Sequence, residues 1–161
     1  MRNPFRLRRD ADDDGPGIFE ELRDQVLLGP LPQANTWAAL MELGTGGGVA
    51  SVVVVSDGTT SLYTSSGGGL IGAGDHVSVA EVNRAFLATI ERLRAAIPAT
   101  ESFPLPAEGE VRFSVRWPDG SRGSAMAREE ILASGEHALS AAFAAGHDVI
   151  TAMRAVEEIG S

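Results

Sequence analysis

The chain has 161 residues, the length of one ordinary domain, and its 43% apolar and 22% charged content fits a globular protein rather than a disordered one. It contains neither lysine nor cysteine, which excludes Schiff-base lysines, the lysine-bearing phosphate loop, thiolate nucleophiles, thiolate metal sites and disulfide frameworks. A net charge of −9 leaves no basic stripe of the kind nucleic-acid binding requires.

Met1–Asp14 reads as a charged, poorly ordered tail in which Arg2, Arg6, Arg8 and Arg9 balance Asp10, Asp12, Asp13 and Asp14. The single α+β domain is then expected over 15–161 and carries the whole negative excess. No run approaches the ~20 apolar residues that cross a bilayer. Arg8-Arg9 leads into no apolar signal core, so the expected location is cytoplasmic. Asp14 suits a cap and Pro16 a first helical turn. Ile18, Phe19, Leu22 and Val26 then give one apolar stripe, and Gly29-Pro30 stops a helix over 17–28.

Residues 36–43 hold Trp37, Leu40, Met41 and Leu43, a spacing that also suits a short helix. The glycine-rich hairpin loop 44–48 favours a strand. Val52-Val53-Val54-Val55, inside a strand over 49–56, is β-branched without alternation and so wants both faces covered. Asp57-Gly58 is the signature of a type I′ hairpin, returning as a strand over 59–64. Ser78 and Glu81 spell a capping box, with Val77 and Val82 placed as its staple. The stripe Val82, Phe86, Ile90, Leu93, Ile97 follows, and Pro98 ends that helix. Pro98, Pro104 and Pro106 make 98–109 an extended connector.

Val111, Phe113, Val115 and Trp117 alternate with Arg112, Ser114 and Arg116, which is a strand with one buried face. Pro118-Asp119-Gly120 turns it into a return strand over 121–127. A short helical turn near 128–132 and a final helix over about 138–159 complete the chain. The first half of that helix is rich in Ala138, Ala141, Ala142, Ala144, Ala145 and Gly146, small enough for close packing. The order helix, three strands, helix, two strands, helix is that of an α+β fold with a five-stranded antiparallel sheet packed with helices.

Several groups bear on chemistry. Gly67-Gly68-Gly69-Leu70-Ile71-Gly72 matches G-x-G-x-x-G, but the helix cap comes six residues after the last glycine, and hairpins rather than a βαβ unit flank it. Two readings stand: a structural turn, or an anion-binding loop using Ser65, Ser66, Gly67, Gly68, Gly69 and His76. Asp75 and Glu81 weigh against the second by placing carboxylates at the same helix end. His137 and His147, ten residues apart on one expected helix, lie ~15 Å from each other and share no metal. His137 is read as a helix cap. The sequence offers no G-x-S-x-G elbow and no H-E-x-x-H, so no catalytic residue, metal ligand or cofactor is assigned. Glu20-Glu21, Glu129-Glu130 and Glu157-Glu158 read as solvated helix faces. Arg112, Arg116 and Arg122 should share the hairpin face opposite Phe113 and Trp117. There they either protect a solvated edge or receive an anion or an acidic patch of a second copy.

The stretch Val52–Gly74, with Asp57-Gly58-Thr59-Thr60-Ser61-Leu62-Tyr63 and the glycine run 67–72, resembles a pattern in a group of bacterial proteins of unassigned function. The order of elements is similar to roadblock and profilin-like domains, which implies an interaction module that pairs as a homodimer. The expectation is a non-enzymatic, self-associating protein-interaction domain. It draws on the apolar strand 52–55 and the small-residue helix face. The alternatives are a small-molecule or anion binder (or hydrolase) built on 65–74, and an acidic partner or inhibitor of a basic protein.

Overall fold

Hairpins chain the strands together, because each short apolar run is broken by a turn sequence before it can extend. The computed structural model describes residues 17–30, 35–71 and 76–160, so the expected tail, the Asp14 cap, Gly72 and Asp75 lie outside the described residues. Strands β1 (Ala38–Thr45), β2 (Gly48–Val55), β3 (Thr60–Thr64), β5 (Glu110–Arg116) and β6 (Arg122–Arg128) form the expected antiparallel sheet. A three-residue strand β4 (Gly69–Ile71) is added at its edge, giving the order β4-β3-β2-β1-β5-β6. The stretch 36–43 is indeed extended, its strand beginning at Ala38 and running to Thr45.

Period-two alternation divides the sheet into two unlike faces. Ala39, Met41, Val52, Val54, Leu62, Val111, Phe113 and Val115 point to one side. There helices α2 (Val77–Arg92) and α4 (Ser140–Gly160) cover them with Phe86, Ile90, Phe143, Val149 and Met153. Ala38, Leu40, Val53, Val55 and Tyr63 point to the other, under Phe19, Leu22, Val26 and Leu27 of helix α1 (Gly17–Leu28). The unbroken valine run is thus explained: Val52 and Val54 serve one core, Val53 and Val55 the other. A short helix α3 (Glu129–Ser134) stands where a helical turn was expected.

The small residues of α4 have an internal use. A Cβ at Gly146 would press into the thioether of Met41 on the central strand, so glycine permits the close helix–sheet approach. The density of small residues that suggested an intermolecular surface is partly spent inside the domain, Ala142 and Gly146 being buried.

Two local expectations are corrected. Asp57-Gly58 does not form a type I′ turn, because only Gly58 has positive φ (+100°) and the only non-glycine with positive φ among the described residues is Asn35. Gly58 N–H donates to Val55 O at 3.0 Å and Val55 N–H to Thr59 O at 2.9 Å, the pattern of a type I turn closed by a glycine bulge. The same bonds recur at Thr64–Gly68, with Gly67 at +104°, and at Trp117–Ser121, with Gly120 at +84°. Three hairpins therefore share one turn. Asp57 and Asp119 each accept the N–H two residues on, which favours the bent first half of the turn over two left-handed residues.

The capping box is the second correction. Helix α2 begins at Val77 after an extended His76, which places Ser78 inside the first turn, and the cap position makes no side-chain hydrogen bond. Val77 is 74% exposed and staples nothing. At its other end α2 stops at Arg92, and a 3₁₀ turn (Arg94–Ala96) leads to Pro98.

Candidate functional site: the arginine-bearing face of the β5–β6 hairpin

Register sets the site. On the α1 face, Glu42 of β1 stands opposite Ser51 of β2 and Arg112 of β5, and that rung continues to Tyr63 on one side and Met126 on the other. The next rungs outward on β5–β6 pair Ser114 with Ser124 and Arg116 with Arg122. The expected co-facial arrangement of Arg112, Arg116 and Arg122 is therefore present, with a serine pair between the arginine rows.

Glu42 is the residue that sequence reasoning missed. Its side chain is fully buried, and Arg23 of α1 donates its Nε–H to both carboxylate oxygens at 2.9 and 3.0 Å. Ser51 donates to Oε2 at 2.5 Å. A buried carboxylate is tolerable only when paired and hydrogen-bonded, and three bonds meet that need. The available signal was a lone acid in the strand Ala38–Thr45, in phase with Leu40 and Ala38. Its cation sits nineteen residues earlier on a helix, beyond any local pattern.

Arg112 lies beside this pair. Burial lowers the pKa of its guanidinium from the ordinary arginine value, the Arg23 charge adds to that, and Glu42 and Glu110 oppose it. Its Nη1 donates to Ser124 Oγ at 2.9 Å, and Ser114 and Ser124 hydroxyls are 3.1 Å apart. Arg116 donates to the Gly29 carbonyl at the end of α1. Its own pKa is lowered by burial and then by the facing Arg122. Arg122 reaches Glu101 at 2.7 Å. Nε of Arg112 and Nε of Arg122 are both buried without an acceptor among the described residues.

A proline-rich strap crosses this face. After Pro98 the chain pairs with the free edge of β6, Ser124 N–H donating to Pro98 O and Thr100 N–H to Arg122 O. Glu101 then meets Arg122, Phe103 packs into the α1 core, and the Pro104 carbonyl accepts from Arg23 Nη2 at 3.5 Å. Ala107 ends the crossing against Gly44, where its carbonyl occupies the space a Cβ would need. The path between these tie-points runs over β5 from the Arg116–Arg122 rung to the Glu42 rung. Ser114 and Ser124 are both buried on this polar face.

The other predicted positions do not join this cluster. Ser65, Ser66, Gly67, Gly68 and Gly69 form the β3–β4 turn and are exposed. Ser65 Oγ accepts from Val49 N–H at 2.9 Å, and Thr64 Oγ1 accepts from Gly68 N–H at 3.0 Å, so the Ser65 hydroxyl and the Gly68 N–H are already engaged within the protein. His76 is exposed at the start of α2. His137 accepts at Nδ1 from Leu139 N–H at 3.0 Å just before α4, the capping role expected of it. His147 meets the edge of Phe143 with ring centroids 4.5 Å apart. No helix among the described residues is long and apolar enough to cross a membrane. Comparison with protein-family models, curated proteins and solved structures returns no match to this chain.

Proposed function

We propose that the protein is a non-enzymatic, self-associating interaction domain of the bacterial cytoplasm, in which the arginine-bearing face of one copy meets helix α1 of a second. One observation carries this reading: two patches of opposite charge lie side by side on the same face. Arg112, Arg116 and Arg122 line β5–β6 half-buried, Arg122 keeping 22% of its side chain open beside Glu101, and the neighbouring helix α1 turns Glu20, Glu21 and Asp24 to solvent. Adjacent patches of opposite sign are self-complementary under a two-fold axis, which sets each against its counterpart. The roadblock-like order of elements points the same way by analogy.

Sedimentation across the micromolar range is expected to show a monomer–dimer equilibrium that salt weakens, since exposed charges are screened. Arg122→Glu and the pair Glu20→Arg/Glu21→Arg should each be monomeric, and mixing the two variants should restore a heterodimer. A wild-type protein that stays monomeric at low salt overturns the proposal.

A further inference from the structure

The strap Glu101–Ala107 has the form of a peptide ligand that happens to be covalently attached. Its residues read Glu-Ser-Phe-Pro-Leu-Pro-Ala. Pro104 and Pro106 fix φ near the extended polyproline value, so the segment is ordered at little entropic cost. It is held by one carboxylate on Arg122, one aromatic ring half-buried in the α1 core and one carbonyl on Arg23. These are the anchors by which extended peptides are recognised in grooves: a charge, a ring and a backbone acceptor.

The floor beneath is not that of a settled core. Ser114 and Ser124 are buried together, and the flanking Arg112 and Arg122 each keep a buried Nε–H without an acceptor among the described residues. A buried donor is costly to leave unpaired, and two of them flank the same serine pair. The guanidiniums on this face belong to Arg23, Arg112, Arg116 and Arg122. The carboxylates that answer them are Glu42, Glu101 and Glu110, and Glu110 is engaged by Ala107 N–H. Leu105 stands 41% exposed on the strap and Met126 45% exposed on the rung beside Arg112, apolar surface next to unspent donors.

We propose that the groove between α1 and the β5–β6 hairpin binds an extended, acidic, proline-containing peptide segment of a partner protein. The strap Glu101–Ala107 is its resident occupant in cis. A partner segment displaces the strap, sets its carboxylate on Arg122 and Arg112, and sets its aromatic ring where Phe103 sits. The inference rests on the reading above only in treating this face as an interaction surface.

The probe is the synthetic peptide of residues 101–108, labelled and measured by fluorescence anisotropy against the full-length protein, with a scrambled peptide of the same composition as control. Apparent affinity scales with the fraction of molecules whose groove is open. Glu101→Gln/Phe103→Ala releases the strap, so it is expected to bind the peptide about tenfold more tightly than wild type. Adding Arg122→Ala to that variant should abolish the gain. Equal affinity in the released variant and wild type, or equal binding of the scrambled peptide, overturns the inference. Should the double variant fail to fold, Glu101→Gln alone leaves Phe103 in place, and about a two- to threefold tightening is expected from it. No tightening there is equally fatal. Sedimentation of the same samples separates the two ideas. Peptide binding by a strict monomer upholds the groove and sinks self-association, whereas a dimer indifferent to the strap does the reverse.

Discussion

Removing the carboxylate of Glu42 should be among the most damaging single changes available in this protein. Glu42 is wholly inaccessible and its partner Arg23 is only 10% exposed, so neither charge is screened by water in the folded state. Glu42→Gln keeps the shape but leaves the Arg23 guanidinium buried, with Arg112 on the adjoining strand as its uncompensated neighbour. Breaking a buried pair from one side costs about 3–5 kcal/mol. For a chain of this length each kcal/mol moves the midpoint by about 2–4 °C, so a fall of roughly 10 °C is expected. Urea unfolding read by far-UV circular dichroism and by the fluorescence of Trp37 and Trp117 gives the free energy directly. The companion variant Arg23→Met/Glu42→Leu/Ser51→Ala removes all three polar partners at once. It should return to within about 1 kcal/mol of wild type or exceed it, since buried pairs rarely outperform apolar replacements of similar volume. A Glu42→Gln protein within about 0.5 kcal/mol of wild type would refute the claim that this charge is both buried and paired. So would a triple variant as crippled as the single one.

Two further outcomes follow from geometry. Gly146→Ala gains about 1 kcal/mol of helix propensity, yet its methyl group meets the thioether of Met41, whose side chain is fully buried and must shift within the core; overpacking of about 1–3 kcal/mol should win, and thermal melts should show a net loss. The Asp119 carboxyl is held down to about 2 by hydrogen bonds from the Ser121 hydroxyl and N–H and then by Arg94. Its folded pKa lies below the unfolded one, so its stabilising contribution is present above about pH 4 and fades as pH falls toward 2; a carboxyl NMR titration midpoint near 4 would contradict the turn described here.

Local chemistry made much of the fold readable. Alternation in 111–117, the doubly apolar run at 52–55 and the turns at Asp57-Gly58 and Pro118-Asp119-Gly120 mark five strands and two hairpins within a few residues, although the first turn was expected as type I′ and neither β4 nor its hairpin turn at 64–68 was foreseen. What local pattern does not reach is the pairing of β1 with β5, which joins residues some seventy positions apart and puts β1 at the centre of the sheet. The capping box at Ser78 failed for a related reason: where a helix starts depends on how the preceding chain arrives, and His76 enters already extended. Arginines 112, 116 and 122 were legible as co-facial because a strand has period two. The strap above them was legible only as a connector, because its path is fixed by Arg122, Arg23 and Gly44 from three separate elements.

The same polar rung that sets stability also explains why the sheet has one register. Shifting β1 by one residue would move Glu42 from the α1 face into the apolar layer of Phe86, Phe113 and Met153, where no cation waits, and would turn Met41 toward Arg23. An apolar residue at position 42 would remove that penalty while leaving the hydrophobic pattern of β1 almost equally good in either phase. The costly carboxylate thus acts as a register pin, a role for which buried polar groups are better suited than for net stabilisation. Because β5 takes its alignment from β1, the pin also fixes Arg112 beside Glu42, the serine pair one rung on, and Arg116 opposite Arg122 beyond that. The arginine-bearing surface is therefore a consequence of how the centre of the sheet is locked. A Glu42→Leu substitution made without its companions should lower stability in urea unfolding and also weaken the binding proposed for the 101–108 peptide at Arg122, two strands away.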